Sequence, residues 1–438
     1  GPAVHTVGRS RPDRFAALGT VRTGVVGAHW HHVARLSAKI YFRGTLRPRR
    51  ARRVSARRAR RVSARRARRV SVCHRPTTVL GAARGDSRME FVTPPPLESG
   101  DRVAVLAPSS GGARNAPHVL ELALDRLEST FDLEPVVDPT ARQSDVFLAD
   151  SPRARAAALH AAFRDPEISG VFATIGGWEQ LRVLRHFDPA VARERPTRFF
   201  GMSDNTNVQL ALWRAGVVSF NGAQLMNELA VPGALPEYTE RYCRRAFFED
   251  SLGALEPSDE WTDDPTGFWA DPSLHGTEPE YAASEGWRWR GGGRAVRGRL
   301  WGGCRAVVEW HLATDRYLSD PGRLEGAVLA LEMAENLPSA EEVGATLMCL
   351  GERGLLARFD GVLVGRVPGR SFLEDPPADE RAAYRERVRE AVVEQVERYN
   401  PDAPVVLGLD WGHTNPVAPL PLGGEVVVDP TAERVAFG

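Results

Sequence analysis

RFFGMSDNTNVQLALW, residues 198–213, passes from an apolar run into a helical pattern with a serine at the joint. Arg198–Met202 reads as a buried strand and Asn205–Ala215 as the helix after it. Ser203 stands between them, where a side chain is carried out at the end of a sheet. Two readings of that serine stand side by side. As a nucleophile, it would have the backbone N–H groups of the helix start beside it as oxyanion donors. As a cap, Ser203 or Asp204 would only satisfy the first turn of the helix. The pattern is G-x-S-D rather than G-x-S-x-G, so the motif alone does not choose.

The flanking sequence repeats the strand-to-helix rhythm. Arg102–Ala107 (RVAVLA) is a buried-strand run ending in Pro-Ser-Ser-Gly-Gly, and residues 117–129 carry an apolar stripe of helical period. Residues 152–164 form a further helix with Pro152 near its start. Gly170–Ile175 (GVFATI) is a strand, followed by Gly176-Gly177 and an expected helix through His186. Alternating strands and helices imply α/β architecture with a parallel, doubly wound sheet and ligands at the carboxyl ends of its strands. Residues 236–295, rich in Asp, Glu, Pro, Gly and Trp, break this rhythm and read as a loop-rich insertion. Beyond it, strands are expected at Gly326–Leu331, Gly361–Val367 and Val405–Trp411, and a helix at 379–399. Ser339 and Glu342 form a capping box for another helix that closes at Gly354. The expected organisation is an extension at 1–88, an amino-terminal doubly wound parallel-sheet domain at 89–235, the insertion or linker at 236–295, and a smaller mixed α/β carboxy-terminal domain at 296–438.

The net charge of +1 hides an asymmetry. Residues 1–88 hold 23 basic and 2 acidic side chains, a net of +21, so the remaining residues carry −20. Residues 49–72 are three copies of an eight-residue unit (RRARRVSA, RRARRVSA, RRARRVSV) with no apolar face. Such a segment cannot bury enough surface to fold alone. It is read either as a nucleic-acid or membrane-surface arm, or as an unstructured extension ahead of a domain start at Met89. The change of composition at Met89 favours the second. A presequence of mitochondrial type is a further option for an arginine-rich, acid-poor stretch. The 42% hydrophobic and 26% charged content is that of a globular protein, and no apolar run approaches the roughly 18 residues of a bilayer span, so no membrane partner is expected. Four widely spaced cysteines without a CxxC pair argue against a zinc site or a disulfide framework and fit a reducing compartment. No metal site and no cofactor are expected.

A serine nucleophile needs a base. Five of the eleven histidines lie in the extension, and His118, His160, His186 and His311 fall in helical or apolar stretches where a structural role is the default. His275 lies in the insertion. His413 follows a buried strand in Trp-Gly-His-Thr-Asn-Pro, where the chain must turn, a placement that suits function. Glu332 stands at the end of the GAVLAL strand as a candidate orienting acid, with Glu335 as the alternative; either could instead be a salt-bridge partner. Gly176-Gly177 lacks the lysine and spacing of a phosphate loop and better serves close backbone approach, with an N–H offered to an oxyanion.

Taken together, PSS after the first strand, IGGW at 175–178, GMSDNTN at 201–207, LWGGC at 300–304, LALE at 329–332 and GHTNP at 412–416 resemble the LD-carboxypeptidase family of serine peptidases. Within it, the likeness is greater to the branch that holds the microcin C immunity peptidase. The resemblance spans about residues 95–430. It implies Ser203 as nucleophile, His413 as general base and Glu332 orienting the imidazole, with the backbone N–H groups of Gly177 and Asp204 as the oxyanion hole. It also implies an active site in the interdomain cleft, a cytoplasmic homodimer, no cofactor, and a small peptide or aminoacyl-nucleotide substrate. Cys304 stands where many members carry Asn, and LEMAEN where a LED-like run is frequent. Trp178 and Trp287 are candidate substrate contacts, since an aromatic face can stack on a base; packing of the loop is the competing role. Two other function classes stay open. One is nucleic-acid binding through the arginine arm, and the other a non-catalytic α/β ligand-binding module.

Overall fold

The computed structural model describes residues 90–371 and 374–438; the basic extension at 1–88 and its arginine repeat lie outside the described residues. Five strands open the fold: β1 (Arg102–Leu106), β2 (Glu134–Val137), β3 (Gly170–Ala173), β4 (Arg198–Gly201) and β5 (Ser219–Asn221). They pair in parallel in the order β2-β1-β3-β4-β5. Strands such as RVAVL, GVFA and RFFG are apolar without alternation because both faces of the sheet are covered. On one face Leu106, Val171, Ala173 and Phe199 pack with Leu159 and Phe163 of the helix Pro152–Arg164. On the other, Phe172, Phe200 and Phe220 stack at 4.5 and 5.1 Å, with Phe247 edge-on to the first two. The order reverses between β1 and β3, so the loops that follow these two strands part at a switch point, where ligands settle in doubly wound sheets.

The other strands, in chain order, are β6 (Gly253–Ala254), β7 (Glu260–Trp261), β8 (Ala282–Ala283), β9 (Arg288–Arg290), β10 (Val296–Cys304), β11 (Ala327–Glu332), β12 (Phe359–Gly365), β13 (Val405–Leu409), β14 (Leu420–Leu422), β15 (Glu425–Asp429) and β16 (Arg434–Phe437). A second sheet runs β6-β16-β15-β10-β11-β12-β13-β9. Its middle strands β10 to β13 are parallel and its flanks antiparallel. The expected capping box is present at the helix Ala340–Glu352. The fold is thus mixed α/β with a doubly wound first sheet, as the rhythm of the sequence implied.

Three expectations need correction. Residues 236–295 are not a simple insertion. They supply the helix Glu237–Phe248 and then β6 and β9, the two edge strands of the second sheet. Conversely, β14 leaves the carboxy-terminal half and pairs antiparallel with β5 at the edge of the first sheet. The halves are therefore laced together, and the described residues form one compact unit. The helix expected through His186 is only a short 3-10 turn at Gln180–Arg182, at whose start the Glu179 and Gln180 N–H groups donate to the Asp204 carboxylate. Among the described residues, no helix is long and apolar enough to cross a membrane.

Candidate active site

The strand β4 ends at Gly201, and Ser203 then adopts φ +60°, the left-handed region that costs a non-glycine residue about 1–2 kcal/mol. The surroundings impose that turn. The Asn205 side-chain amide donates to the Ile175 and Met202 carbonyls and to the Gln224 side chain. Gln209 donates to the carbonyls of Gly201 and Phe220. The 3-10 turn Ser203–Asn205 follows, then the helix Thr206–Ala215. Ser203 is thereby presented at the carboxyl end of the sheet, next to the switch point.

The glycine pair after β3 comes close to it. A Cβ on Gly176 would lie 2.8 Å from Ser203 Cβ and 3.0 Å from its Oγ, so only glycine lets this loop approach. Gly177 has φ +157°, and a Cβ there would strike the Ser109 hydroxyl at 2.6 Å. The loop after β1 buttresses the pair: the Ser110 hydroxyl donates to the Gly176 carbonyl at 2.6 Å. Buried Asp204 ties these loops together, accepting from the Ser109 hydroxyl, from the N–H groups of Glu179 and Gln180 at 2.9 Å each, and from the Asn207 amide. Burial raises its pKa; the hydrogen bonds and the charge of fully buried Arg155 oppose that rise. Among the described residues, neither the Gly177 N–H nor the Asp204 N–H enters a turn, loop or cap hydrogen bond.

The carboxy-terminal half brings His413 and Glu332 to the same region. Glu332 ends β11, paired in register with Cys304 of β10, and the Cys304 N–H donates to Thr206 Oγ1 at the start of the helix after Ser203. The Trp411 indole donates to Asn221 at the end of β5, which anchors the turn that carries His413. Gly412, at φ +100°, lets that turn lie over Glu332, whose Cβ would be 2.9 Å from a Cβ at 412. The His413 Nδ1–H donates to Glu332 Oε2 at 2.6 Å, with the carboxylate fully buried and the imidazole nearly so. On the other side of the ring, Nε2 lies 3.1 Å from Glu335 Oε2, whose side chain is half exposed. Burial alone would lower the imidazole pKa. The charges of Glu332 and Glu335 and the hydrogen bond to Glu332 outweigh it and carry the pKa up to about 9.

His413, Glu335 and Met202 line one cleft with residues of the 236–295 segment, among them Phe268 and Trp269. Trp178 lies beside Gly177 and is 67% exposed. Trp287 points elsewhere: its indole N–H donates to buried Asp410, in a cluster with Ser258 and Arg366. The structure thus brings Gly177, Ser203 and Asp204 together on one side, and His413 with both Glu332 and Glu335 on the other. It also adds residues that the sequence reading passed over: Glu228, Thr414 and Asn415 on the cleft wall, and Arg155 behind Asp204. A carboxylate flanked by Leu225, Met226, Leu229 and Ala230 was the available signal for Glu228. Among the described residues, no group of three or more His, Cys, Asp or Glu side chains is arranged to hold a metal ion.

The sequence matches the LD-carboxypeptidase N-terminal domain over residues 103–222 and the LD-carboxypeptidase C-terminal domain over residues 297–428. The chain belongs to the LD-carboxypeptidase family. One relative of this family member is the Bacillus subtilis protein named "Probable murein peptide carboxypeptidase", 25% identical over 345 residues, which are 78% of this chain and 93% of the relative. Among solved structures, the MccF-like protein from Streptococcus pneumoniae in complex with AMP superposes with a TM-score of 0.68 at 25% identity, covering 77% of this chain and 99% of its own. The microcin C7 self immunity protein MccF in complex with aspartyl sulfamoyl adenosine shares the fold, with a TM-score of 0.68 at 19% identity over 79% of this chain and 98% of its own. The family is one of peptidases, hence of hydrolases.

Proposed function

We propose that this protein is a cofactor-independent serine carboxypeptidase that hydrolyses an amide bond through Ser203, His413 and Glu332. The observation that carries the reading is the buried His413–Glu332 hydrogen bond, reached from a glycine-lined turn that strains Ser203 into place. Neutral His413 takes the Ser203 proton as Oγ attacks the carbonyl carbon, then returns it to the leaving amine. Glu332 holds Nδ1–H and stabilises the imidazolium while it exists. The N–H groups of Gly177 and Asp204 receive the oxyanion. Water then releases the acyl group by the same route, giving a free carboxylic acid and restoring Ser203. Glu332, buried on Nδ1, suits the orienting role; Glu335 occupies Nε2, the nitrogen that has to face Ser203, and must leave it before attack.

The substrate in this reading is a murein tetrapeptide or an aminoacyl-nucleotide. The first is supported by the name of the Bacillus subtilis relative, the second by the nucleotide ligands of the two structural neighbours. Phe268 and Trp269 on the cleft wall offer apolar faces on which a base could rest. The test is release of D-alanine from a murein tetrapeptide and of the amino acid from an aminoacyl-sulfamoyl adenosine. Both activities are expected to vanish in Ser203→Ala and His413→Ala. Unchanged rates in these variants would refute the assignment.

A further inference from the structure

The cleft beside His413 has a chemical bias that the triad does not use. Four carboxylates belong to it, Glu228, Asp263, Asp264 and Glu335, against Arg370 and His413 as its basic residues. Arg370 is committed, its Nε–H donating to Asp263 at 2.9 Å. Asp264 accepts the N–H groups of Thr266 and Glu280. Glu228 is different: it is 2% exposed, and its Oε2 has no hydrogen-bond partner among the described residues. Two other residues that line the cleft share that condition among the described residues, Thr414 through Oγ1 and Asn415 through Oδ1, both atoms buried and unpartnered.

Buried polar atoms without partners are costly, by about 1–3 kcal/mol each, and are few in native proteins. Three among the residues lining one cleft, each able to accept a hydrogen bond, point to the complement they lack: a compact group with several donors and positive charge. A substrate carboxylate would meet a surplus of like charge, since among the described residues that line the cleft four carboxylates face one arginine and His413. We propose that Glu228, Thr414 and Asn415 form a subsite for a primary ammonium group of the substrate, with Glu335 adding negative charge at its rim. This inference rests on the serine peptidase reading for its placement beside the scissile bond. Burial holds the Glu228 carboxyl up at about 7, so an arriving ammonium group finds a carboxyl ready to ionise against it.

The ammonium could be the α-amine of an aminoacyl-nucleotide or a side-chain amine in a peptide, and the test separates these sources. Binding to the Ser203→Ala protein is measured by calorimetry with two matched pairs. One pair is an aminoacyl-sulfamoyl adenosine and its N-acetylated form; the other is a murein-type tetrapeptide with lysine before the terminal D-alanine and the same peptide with norleucine. The ammonium member of one pair is expected to bind at least tenfold tighter than its neutral partner, and adding Glu228→Gln should reduce that preference below threefold. Equal affinities within both pairs, tighter binding of the neutral members, or no binding by any of the four would overturn the subsite; the wall would then hold ordered water only. Because the pairwise comparison needs no second substitution, it decides even if Glu228→Gln fails to fold. Hydrolysis of the four compounds by the unaltered enzyme is read separately. A retained preference without any cleavage would sink the peptidase reading and leave the subsite standing.

Discussion

Glu335→Gln is the substitution whose effect follows most directly from the geometry. His413 can act as a base only when neutral, and its pKa stands at about 9 with carboxylates on both ring nitrogens. In the proposed mechanism Glu332 must stay, because its hydrogen bond to Nδ1 orients the ring. Glu335 is dispensable to that task. Its Oε2 lies 3.1 Å from Nε2, and its side chain is 51% exposed, so solvent screens the pair heavily. With the effective dielectric of water, the attraction at this distance is about 1 kcal/mol. Its loss corresponds to about one pKa unit. Removing the charge favours the neutral imidazole, so the His413 pKa falls. The acid limb of the kcat/KM profile, which reports the free enzyme, should therefore move about one unit toward lower pH. At pH 7 the rate should rise by up to about tenfold, since the neutral fraction grows tenfold per unit below the pKa. The assay is kcat/KM from pH 5 to 10 for both proteins on one amide substrate at constant ionic strength. An unmoved acid limb, or one displaced upward, would refute the reasoning.

Three further outcomes are expected. Gly176→Ala places a Cβ 2.8 Å from Ser203 Cβ and should cut kcat by about a hundredfold while the circular dichroism spectrum is kept. Asp204→Asn removes the charge facing fully buried Arg155 and weakens the clamp on the loops after β1 and β3; urea unfolding should show a loss on the order of 3 kcal/mol. Burial raises the Glu228 carboxyl from 4.5 to about 7, so the folded state keeps this proton to higher pH than the unfolded state does. Its contribution is intact below pH 4.5 and is lost as the pH rises toward 7, so Glu228→Gln should match the parent in stability at pH 4.5 and exceed it by about 3 kcal/mol above pH 7. A constant difference across that range, measured by thermal melts, would count against a buried carboxyl at this position.

Much of the fold is readable without coordinates because its signals are local. The helices Pro117–Ser129 and Pro152–Arg164 show an apolar stripe and a proline at the first position, and Ser339 with Glu342 announces its helix through cap chemistry alone. What escapes the sequence depends on distant partners. β6 and β9 are two and three residues long and exist only because β16 and β13 offer an open edge. Trp287 reads as a candidate substrate contact or a packing residue of its loop until Asp410, 123 residues away, takes its indole N–H. The site divides in the same way. Glu332 ends a strand, Ser203 and His413 lie in the turns just beyond one, and all three could be chosen by position. Their fit depends on Gly176 and Gly412, whose missing side chains matter only once the segments meet. Glu335, open in the sequence as the alternative orienting acid, lies against Nε2 instead of Nδ1, a distinction that only the fold makes.

The central claim is that Ser203 is the nucleophile, and covalent labelling addresses it without knowledge of the substrate. The protein is treated with an active-serine fluorophosphonate, digested and mapped by mass spectrometry. The expected result is one adduct, on the peptide bearing Ser203, formed at a rate that rises as His413 loses its proton and abolished in His413→Ala. An adduct on another serine, or a Ser203 that stays unmodified while the Gly176–Gly177 turn is intact, would contradict the account.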